Sequence, residues 1–373
     1  MNKEVTIMET KLAQIGLNND STGATTSPIY TATAYEHKKV GQSTGFDYTR
    51  TGNPTRSHFE KAFAELEKGS ASFATSSGMA AIQLVCNLFR PGDEVLVSFD
   101  LYGGTFRIFD FYESQYGIKF KYVDFENIVE IQKEMNNNTR AFFIEPVTNP
   151  SMIEVPLDPL YELAEEHGIL MVIDNTFLTP YYYTPLSEGA DIVLHSATKY
   201  IGGHNDVLAG VVSVKDEQLA ETLEAYHNMT GATLSPFDSY LLLRGLKTLH
   251  LRMERATENA KVLAEYFKTD EAVDEVLYSG RTGMISLRLN DAYSAGSVLE
   301  HIRVCTFAES LGGTETFITF PFTQTHADMP EEEKSSRGID EQLLRVSTGI
   351  ENAEDIKADL IQAINKSKRG RHE

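Results

Sequence analysis

Short apolar runs alternate with amphipathic stretches through the middle of the chain. Five runs have the length and the β-branched and aromatic content of buried strands, and they cover residues 95–98, 120–124, 141–144, 169–173 and 192–195. One connecting segment has strong helix signals, because Asp158 is predicted to cap it, Pro159 to occupy its first helical position and Gly168 to follow its end. Strands separated by helical crossovers predict an α/β domain around a mostly parallel sheet.

The two ends of the chain follow different patterns. The first part is rich in Thr, Ser, Asn and Gly without a sustained helical period, which predicts an extended N-terminal arm. From residue 237 a helical pattern runs to residue 267, and strands are predicted at 273–277 and 284–289. The predicted parts are the arm at 1–55, an α/β domain at 56–236 and a smaller α+β domain at 237–373.

The composition is that of an acidic protein with enough apolar residues to build a core. Of its 373 residues 41% are apolar, and 33 Lys and Arg against 54 Asp and Glu give a formal net charge of −21 at pH 7. Nucleic acids and anionic membranes are bound by neutralising phosphate with Lys and Arg, so neither is an expected partner. No apolar stretch reaches the ~18 residues of a membrane span, and no signal-peptide core is present, so we expect a cytoplasmic protein.

Several common cofactor motifs are absent from the sequence. None of the 26 glycines are spaced as in the dinucleotide-binding motif G-x-G-x-x-G or the P-loop G-x-x-x-x-G-K-[ST]. The histidines form no H-E-x-x-H arrangement, so no metal site is expected. Cys86 and Cys305 lie alone in apolar surroundings, which predicts two buried core residues and no disulfide.

A lysine follows the last of the five predicted strands. Lys199 lies in the segment His195-Ser196-Ala197-Thr198-Lys199-Tyr200, and ligands of open α/β sheets bind beyond the carboxyl ends of strands. Hydroxyl residues and a glycine pair surround it, which is an unusual setting for an ammonium group that seeks solvent. An ordinary surface lysine is the alternative interpretation.

An aspartate ends the apolar strand at 169–173. Asp174 would be costly to bury without a cationic partner, although a turn or helix-capping aspartate before Asn175 and Thr176 is the alternative. A protonated pyridine nitrogen is a suitable partner. Pyridoxal 5′-phosphate (PLP) is recognised by such an acid together with a lysine that holds it covalently, so Asp174 and Lys199 are candidate PLP residues.

Such a cofactor also needs a phosphate site. Ser77 precedes apolar residues at helical spacing, so it is predicted to cap a helix whose free N–H groups bind phosphate, although ordinary capping would look the same. Tyr102 lies just beyond the strand at 95–98, where its ring is able to stack on a pyridine ring. A core tyrosine is the alternative there.

Six segments, in order and over nearly the whole chain, resemble the Cys/Met metabolism (trans-sulfuration) family of fold-type I PLP-dependent enzymes. They are 48–56 (YTRTGNPTR), Ser77-Gly78-Met79, Tyr102-Gly103-Gly104-Thr105, Asp174-Asn175-Thr176, Ser196-Ala197-Thr198-Lys199-Tyr200 and Ala308-Glu309-Ser310-Leu311-Gly312-Gly313. The resemblance implies the fold of a fold-type I transferase, with a mostly parallel central sheet, a smaller C-terminal α+β domain and an N-terminal arm.

The resemblance also implies roles for individual residues. Lys199, Asp174 and Tyr102 match the lysine that holds PLP, the acid at the pyridine nitrogen and the stacking ring, and with Tyr48 they are the implied catalytic residues. The positions that hold the phosphate within one subunit match Ser77, Gly78, Met79, Ser196 and Thr198.

The family is also expected to share its active sites between subunits. Tyr48 and Arg50 match residues that reach the cofactor phosphate of a neighbouring subunit, which agrees with the predicted arm. The resemblance therefore implies a homotetramer, a dimer of dimers, acting on small amino-acid substrates. Arg345 matches the arginine that binds the substrate α-carboxylate, and Asn149 and Ser310 match further substrate positions.

Details near the substrate distinguish members of the family. Glu309 resembles the acid that meets a distal amino group, and Arg107 is a candidate for the distal end of the substrate or for a surface salt bridge. The chain also lacks a longer insertion after Gly280. These features are most similar to bacterial members that replace the γ-substituent of an O-acylhomoserine with cysteine or sulfide, giving cystathionine or homocysteine. Lyases that cleave cystathionine at its γ or β carbon, and a noncatalytic PLP carrier, are the alternatives.

Overall fold

The computed structural model describes residues 7–17, 21–324 and 331–369. Its helices are α1 Met8–Gln14, α2 Pro54–Glu67, α3 Gly78–Cys86, α4 Gly103–Tyr116, α5 Ile128–Glu134, α6 Asp158–His167, α7 Thr179–Tyr182, α8 Pro185–Glu188, α9 Glu217–Thr230, α10 Pro236–Leu246, α11 Leu249–Phe267, α12 Ala295–Leu299, α13 Glu331–Ser336 and α14 Ala353–Lys366. Its strands are β1 Ala71–Thr75, β2 Glu94–Ser98, β3 Lys119–Val123, β4 Thr139–Ile144, β5 Leu170–Asp174, β6 Ile192–His195, β7 Gly210–Val214, β8 Val273–Leu277, β9 Met284–Leu289, β10 Thr306–Phe307, β11 Phe317–Thr319 and β12 Leu343–Ser347.

The described residues fall into two compact units. The larger unit holds the described residues up to 97, together with 108–144 and 157–250. The smaller unit holds 98–107, 145–156 and the described residues from 251 onward. The predicted domain limits of 1–55, 56–236 and 237–373 follow the chain order, and they stay predictions.

The larger unit is built on a seven-stranded sheet in the order β1-β7-β6-β5-β4-β2-β3. Strands β2, β4, β5 and β6 pair in parallel, and β7 runs antiparallel to both β1 and β6. The predicted α/β class with a mostly parallel sheet is confirmed. Each of the five strands predicted in this region is present, with ends that differ from the prediction by no more than two residues.

Two strands of this sheet were not predicted, and both contain polar residues at buried positions. Strand β7 is buried at every position although it includes Ser213, and β1 includes Ser72. The two hydroxyl oxygens lie 2.7 Å apart across the β1–β7 pair, so each satisfies the other inside the core. This pairing depends on residues far apart in sequence, and a local pattern does not reveal it.

Two helix predictions need correction. Asp158 is the first residue of α6 and not its N-cap, because Leu157 occupies the cap position. Gly168 ends this helix as predicted, in the left-handed conformation at φ 64°. The long helical pattern that begins near 237 forms two helices, α10 and α11, which break between Leu246 and Leu249.

The N-terminal arm is only partly extended. Helix α1 lies within it and buries Leu12, in contrast to the prediction of an extended arm throughout. Residues 1–6 and 18–20 of the predicted arm lie outside the described residues. The segment from 21 to 53 forms no regular helix or strand, and it is joined by isolated bridges such as Ala34 with Tyr48.

The smaller unit contains a five-stranded sheet in the order β10-β11-β12-β9-β8. Strand β10 is parallel to β11, and the other neighbouring strands are antiparallel. Its core includes Phe267, Leu287, Val346 and Leu360, and Cys305 is buried among them at 5% exposure. Cys86 is also buried, at 1%, so both cysteines are core residues as predicted. Among the described residues, no helix has the length and apolar character needed to cross a membrane.

Candidate active site

The start of α3 presents unpaired backbone N–H groups. Ser77 is its N-cap, and the Ser77 hydroxyl oxygen accepts a hydrogen bond from the Ala80 amide at 3.1 Å. The predicted cap is therefore confirmed. The first N–H groups of a helix have no partner within it and favour an anion, so the segment from Ser77 to Met79 is suited to hold a phosphate group.

The glycine that follows this cap permits a close approach to a second loop. A Cβ on Gly78 would lie 2.8 Å from both Cβ and Oγ of Ser196, which is closer than real side chains approach. Gly210, at the start of β7, is similarly crowded, since a Cβ there would lie 2.3 Å from the Ser77 carbonyl oxygen. The Ser77 loop and the loop after β6 therefore meet, and their backbone and hydroxyl donors lie close together.

A short chain of hydrogen bonds connects Asp174 with this loop. The Thr176 hydroxyl donates to Asp174 Oδ1 at 2.5 Å, and the Thr176 amide donates to the same oxygen at 3.1 Å. In turn, the Ser196 amide donates to Thr176 Oγ1 at 2.9 Å. Asp174 thus forms the turn given as the alternative interpretation, and that turn is bonded to the loop that contains Ser196.

The surroundings of the Asp174 carboxyl disfavour its ionised form, which a positive partner would stabilise. Burial raises the pKa of Asp174, while its hydrogen bonds from Thr176 and the charge of nearby His195 oppose this rise. A protonated ring nitrogen would favour the ionised form in the same way.

Lys199 follows β6 in a turn and is half-buried. The Lys199 amide donates to the Ser196 carbonyl at 3.2 Å, and its own carbonyl accepts from Gly203 at 2.8 Å. The neighbouring Thr198 is anchored to Ala209, because its hydroxyl donates to the Ala209 carbonyl at 3.1 Å and accepts from the Ala209 amide at 3.0 Å. The loop that bears Lys199 is therefore fixed at several points.

The arm carries Tyr48 and Arg50 at the surface of the larger unit. Tyr48 is 49% exposed, and the Arg50 guanidinium lies 5.9 Å from the centre of its ring. Arg50 Nη1 also donates to the carbonyl and to the side-chain oxygen of Asn228, at 2.5 and 2.6 Å. Asn228 lies in α9, so this helix orients the Arg50 guanidinium.

In the smaller unit, Arg345 lies on the central strand β12 and is only 2% exposed. Its Nη1 donates to Asn149 Oδ1 at 3.0 Å, and its Nη2 donates to Thr319 Oγ1 at 3.0 Å and to the Ser310 carbonyl at 3.3 Å. These oxygens orient the guanidinium, whose planar, forked donors suit a residue that binds a carboxylate. The structure thus brings together three predicted substrate residues.

The other predicted residues of the smaller unit are Tyr102, Arg107 and Glu309. Tyr102 is half-buried just before α4, and its amide donates to Glu145 Oε1 at 3.1 Å. Arg107, in the second turn of α4, and Glu309, after β10, are both exposed. Their roles at the distal end of a substrate stay predictions.

Three supporting residues were not singled out from the sequence. Thr176 connects Asp174 with Ser196, Thr319 binds Arg345, and Glu145 holds the backbone of Tyr102. A signal existed for Thr176, because it belongs to the Asp174-Asn175-Thr176 motif. Thr319 and Glu145 reach their partners only through the tertiary fold.

The larger unit passes two tests of fit for PLP. The approach of Gly78 to Ser196 makes a cradle that any larger side chain would fill, next to the free N–H groups of a helix. Asp174 adds a buried carboxylate suited to a protonated ring nitrogen. Lys199 supplies an amine from the same loop as Ser196.

The chain is similar to known proteins over almost its full length. Residues 9–365 match the family described as Cys/Met metabolism PLP-dependent enzyme. The chain is 51% identical over 364 residues to the cystathionine gamma-synthase/O-acetylhomoserine (thiol)-lyase of Bacillus subtilis (strain 168), covering 97% of this chain and 98% of the relative. It is also 51% identical over 358 residues to the cystathionine gamma-synthase of Haemophilus influenzae, covering 95% of this chain and 97% of the relative.

Lyases among the curated relatives are less similar in sequence than these two synthases. The cystathionine gamma-lyase of Bacillus subtilis (strain 168) is 42% identical over 362 residues, which cover 93% of this chain and 96% of the relative. Among solved structures, the cystathionine gamma synthase of Xanthomonas oryzae pv. oryzae in complex with aminoacrylate and cysteine aligns with a TM-score of 0.95 and 36% identity, over 98% of this chain and 99% of that structure.

Proposed function

Because this chain belongs to the Cys/Met metabolism family of PLP-dependent enzymes, we propose that it replaces the acyloxy group of an O-acylhomoserine with the sulfur of cysteine or sulfide. The products are cystathionine or homocysteine, in methionine biosynthesis by trans-sulfuration. The observation that carries this proposal is the 51% identity to two γ-synthases over nearly the whole chain, against 42% to the γ-lyase.

In this proposal PLP is held by residues of the loops described above. Lys199 holds it covalently, Asp174 pairs with its ring nitrogen and Tyr102 stacks on its ring. The phosphate is bound by Ser77, Gly78, Met79, Ser196 and Thr198, joined by Tyr48 and Arg50 of a neighbouring subunit. When bound, PLP withdraws electrons from the α-carbon of the substrate. The proposed assembly is a homotetramer in the cytoplasm, and the exposed positions of Tyr48 at 49% and Met229 at 68% support a partner at this surface.

The chain's own residues then bind the substrate and move its protons. Arg345 binds the α-carboxylate, with Asn149 and Ser310 beside it, and Glu309 and Arg107 meet the distal part. Released from its covalent bond when the substrate binds, the Lys199 amine would take one proton from Cα and one from Cβ. The acyloxy group would then leave Cγ as a free carboxylate, the thiol sulfur would bond to Cγ in its place, and the protons would return to the product. An ordinary lysine with a pKa of ~10.4 is only ~0.04% neutral at pH 7, so this step requires surroundings that favour the neutral amine.

An assay with purified holoenzyme tests the proposal. O-acetylhomoserine and O-succinylhomoserine are each offered with cysteine and with sulfide, and cystathionine, homocysteine and 2-oxo acids are measured. We expect thioether or thiol formation with at least one ester, and loss of about 1000-fold or more in kcat in Lys199→Ala. Release of 2-oxobutanoate or pyruvate from cystathionine, without any synthesis, would instead assign a lyase. A Lys199→Ala chain as active as the wild type would contradict the proposed chemistry.

A further inference from the structure

A buried arginine holds the backbone of the segment that carries Tyr48 and Arg50. Arg56 lies in the first turn of α2 and is only 2% exposed. Its Nη1 donates to the carbonyl of Thr49 at 2.8 Å, and its Nη2 donates to the carbonyl of Arg50 at 3.0 Å. A planar guanidinium with two parallel donors thus fixes two successive peptide groups of the arm.

The same guanidinium is connected to the strand that leads to the phosphate loop. Arg56 Nε lies 3.5 Å from Glu60 Oε1, one helical turn further along α2. That oxygen accepts a hydrogen bond from the Ala74 amide at 3.0 Å, and Ala74 lies in β1, just before Ser76 and Ser77. The contacts therefore run from the arm through Arg56 and Glu60 to Ala74 in strand β1, the strand that leads to Ser77.

The two charges depend on each other. Burial lowers the pKa of the Arg56 guanidinium and raises that of the Glu60 carboxyl, and in each case the charge of the partner opposes the shift. Substituting one member leaves the other buried without its counter-charge. This destabilises the fold more than replacing both members with apolar residues would.

Further contacts hold the same segment from its other sides. Asn53 Nδ2 donates to Thr49 Oγ1 at 3.0 Å and to the Tyr30 carbonyl at 2.8 Å, while Asn53 Oδ1 caps α2. Asn228 holds the side chain of Arg50. Arg56 fixes the backbone between these points, at the two carbonyls of Thr49 and Arg50.

We propose that Arg56 and Glu60 form a positioning pair, which presents Tyr48 and Arg50 to the cofactor phosphate of the neighbouring subunit. The inference rests on the proposed function, in which two subunits share each site. It predicts that a defect at Arg56 acts in trans, because the arm serves the partner's cofactor. A residue that only stabilised its own chain would act in cis.

Mixed assemblies separate these two cases. A tagged chain is co-expressed with a large excess of an untagged chain that carries Lys199→Ala, and tagged assemblies are purified. Only the tagged chain is then able to hold PLP covalently, and nearly every tagged chain has an untagged neighbour. In the trans assembly the tagged chain is wild type and the untagged chain also carries Arg56→Met. In the cis assembly the tagged chain carries Arg56→Met and the untagged chain carries Lys199→Ala alone.

The readout is retention of PLP, measured by fluorescence during dialysis and by borohydride trapping of the adduct on the tagged chain. We expect the trans assembly to bind PLP about tenfold more weakly than a reference of wild-type tagged chains with Lys199→Ala neighbours. The cis assembly should stay within about twofold of that reference. A defect in cis with normal binding in trans would overturn the proposal, and so would tagged wild-type chains that purify without neighbours. No adduct even in the reference would refute the PLP role of Lys199 and thus the proposed function itself.

Two further variants exclude a simple folding defect. Arg56→Lys keeps the charge opposite Glu60 but lacks the forked donors, so we expect a smaller trans defect of about threefold. Arg255→Met is the matched control, because Arg255 also pairs with a glutamate on its own helix, Glu258 at 3.6 Å, but is 53% exposed. It should bind PLP as the wild type does. A trans assembly of Arg56→Lys that retained PLP as well as the reference would contradict the role given to the forked bonds from Arg56 to the Thr49 and Arg50 carbonyls.

Discussion

At the scale of single residues, the site depends on a glycine, Gly78, that permits a close approach, and on an oxygen of Asp174 that accepts two hydrogen bonds. Thr176 uses both its amide and its hydroxyl on Asp174, and its hydroxyl oxygen also accepts from Ser196. Such a network orients the carboxylate before any ligand binds, which lowers the cost of binding. Gly78 contributes in the opposite way, by leaving space next to Ser196.

Gly78→Ala tests the importance of that space. The new Cβ would lie 2.8 Å from Ser196, so one of the two loops must move by several tenths of an ångström. We expect the Kd for PLP to rise about tenfold or more, while the helix itself is not weakened because Ala favours helix. Gly296→Ala in α12 is the control, since its Cβ would meet nothing nearer than Ser294 Oγ at 4.0 Å. Equal PLP binding by the two variants, measured by fluorescence titration, would show that the close approach has no role in binding.

At the scale of elements, a histidine joins helix α9 to strand β1. His227 lies in the last turn of α9, and its Nε2 donates to the Ala74 carbonyl at 3.0 Å. The pKa of His227 is lowered to about 4, mainly by burial and also by the charge of Arg56, while the bond to Ala74 opposes both effects. The neutral imidazole is therefore part of the packing between these elements.

This histidine predicts how stability depends on pH. An unfolded histidine takes up a proton near pH 6.5, whereas folded His227 does so only near pH 4, so its full contribution is present above pH 6.5 and is lost as the pH falls toward 4. The loss amounts to about 3 kcal/mol at most. We expect His227→Gln to show a shallower fall in urea midpoint over this range than the wild type. His167→Gln, at the exposed last turn of α6, should keep the wild-type slope. Parallel curves for wild type and His227→Gln would contradict the assignment.

At the scale of the whole molecule, a cofactor that binds only the folded chain adds to its stability by mass action. PLP at 100 times its Kd should raise the free energy of unfolding of the cofactor-free protein by about 2.7 kcal/mol. Urea unfolding with and without PLP measures this gain. Inorganic phosphate at the same concentration is the control, and it should give a smaller gain because it lacks the ring and the aldehyde. Unfolding curves that PLP leaves unchanged would argue against a site formed by the folded state.

The sequence by itself determined the features that depend on near neighbours along the chain. The buried strands, the Ser77 cap and the glycine that ends α6 follow from periodicity and from turn chemistry, which act over a few residues. The six motifs likewise indicated the family, because their residues lie in short segments. Even so, the helix inside the arm and the true cap of α6 were misjudged, since short helices and their ends have weak signals.

Only the tertiary structure decided which distant residues meet. Ser72 and Ser213 make buried polar positions acceptable in β1 and β7 because each satisfies the other across the sheet. Arg345 donates hydrogen bonds to Asn149 and Thr319. Arg56 donates to the backbone of the arm and pairs with Glu60, which accepts a hydrogen bond from strand β1. The physical reason is that the stability of a buried polar group depends on its partner in space, and the chain order of the residues does not specify that partner.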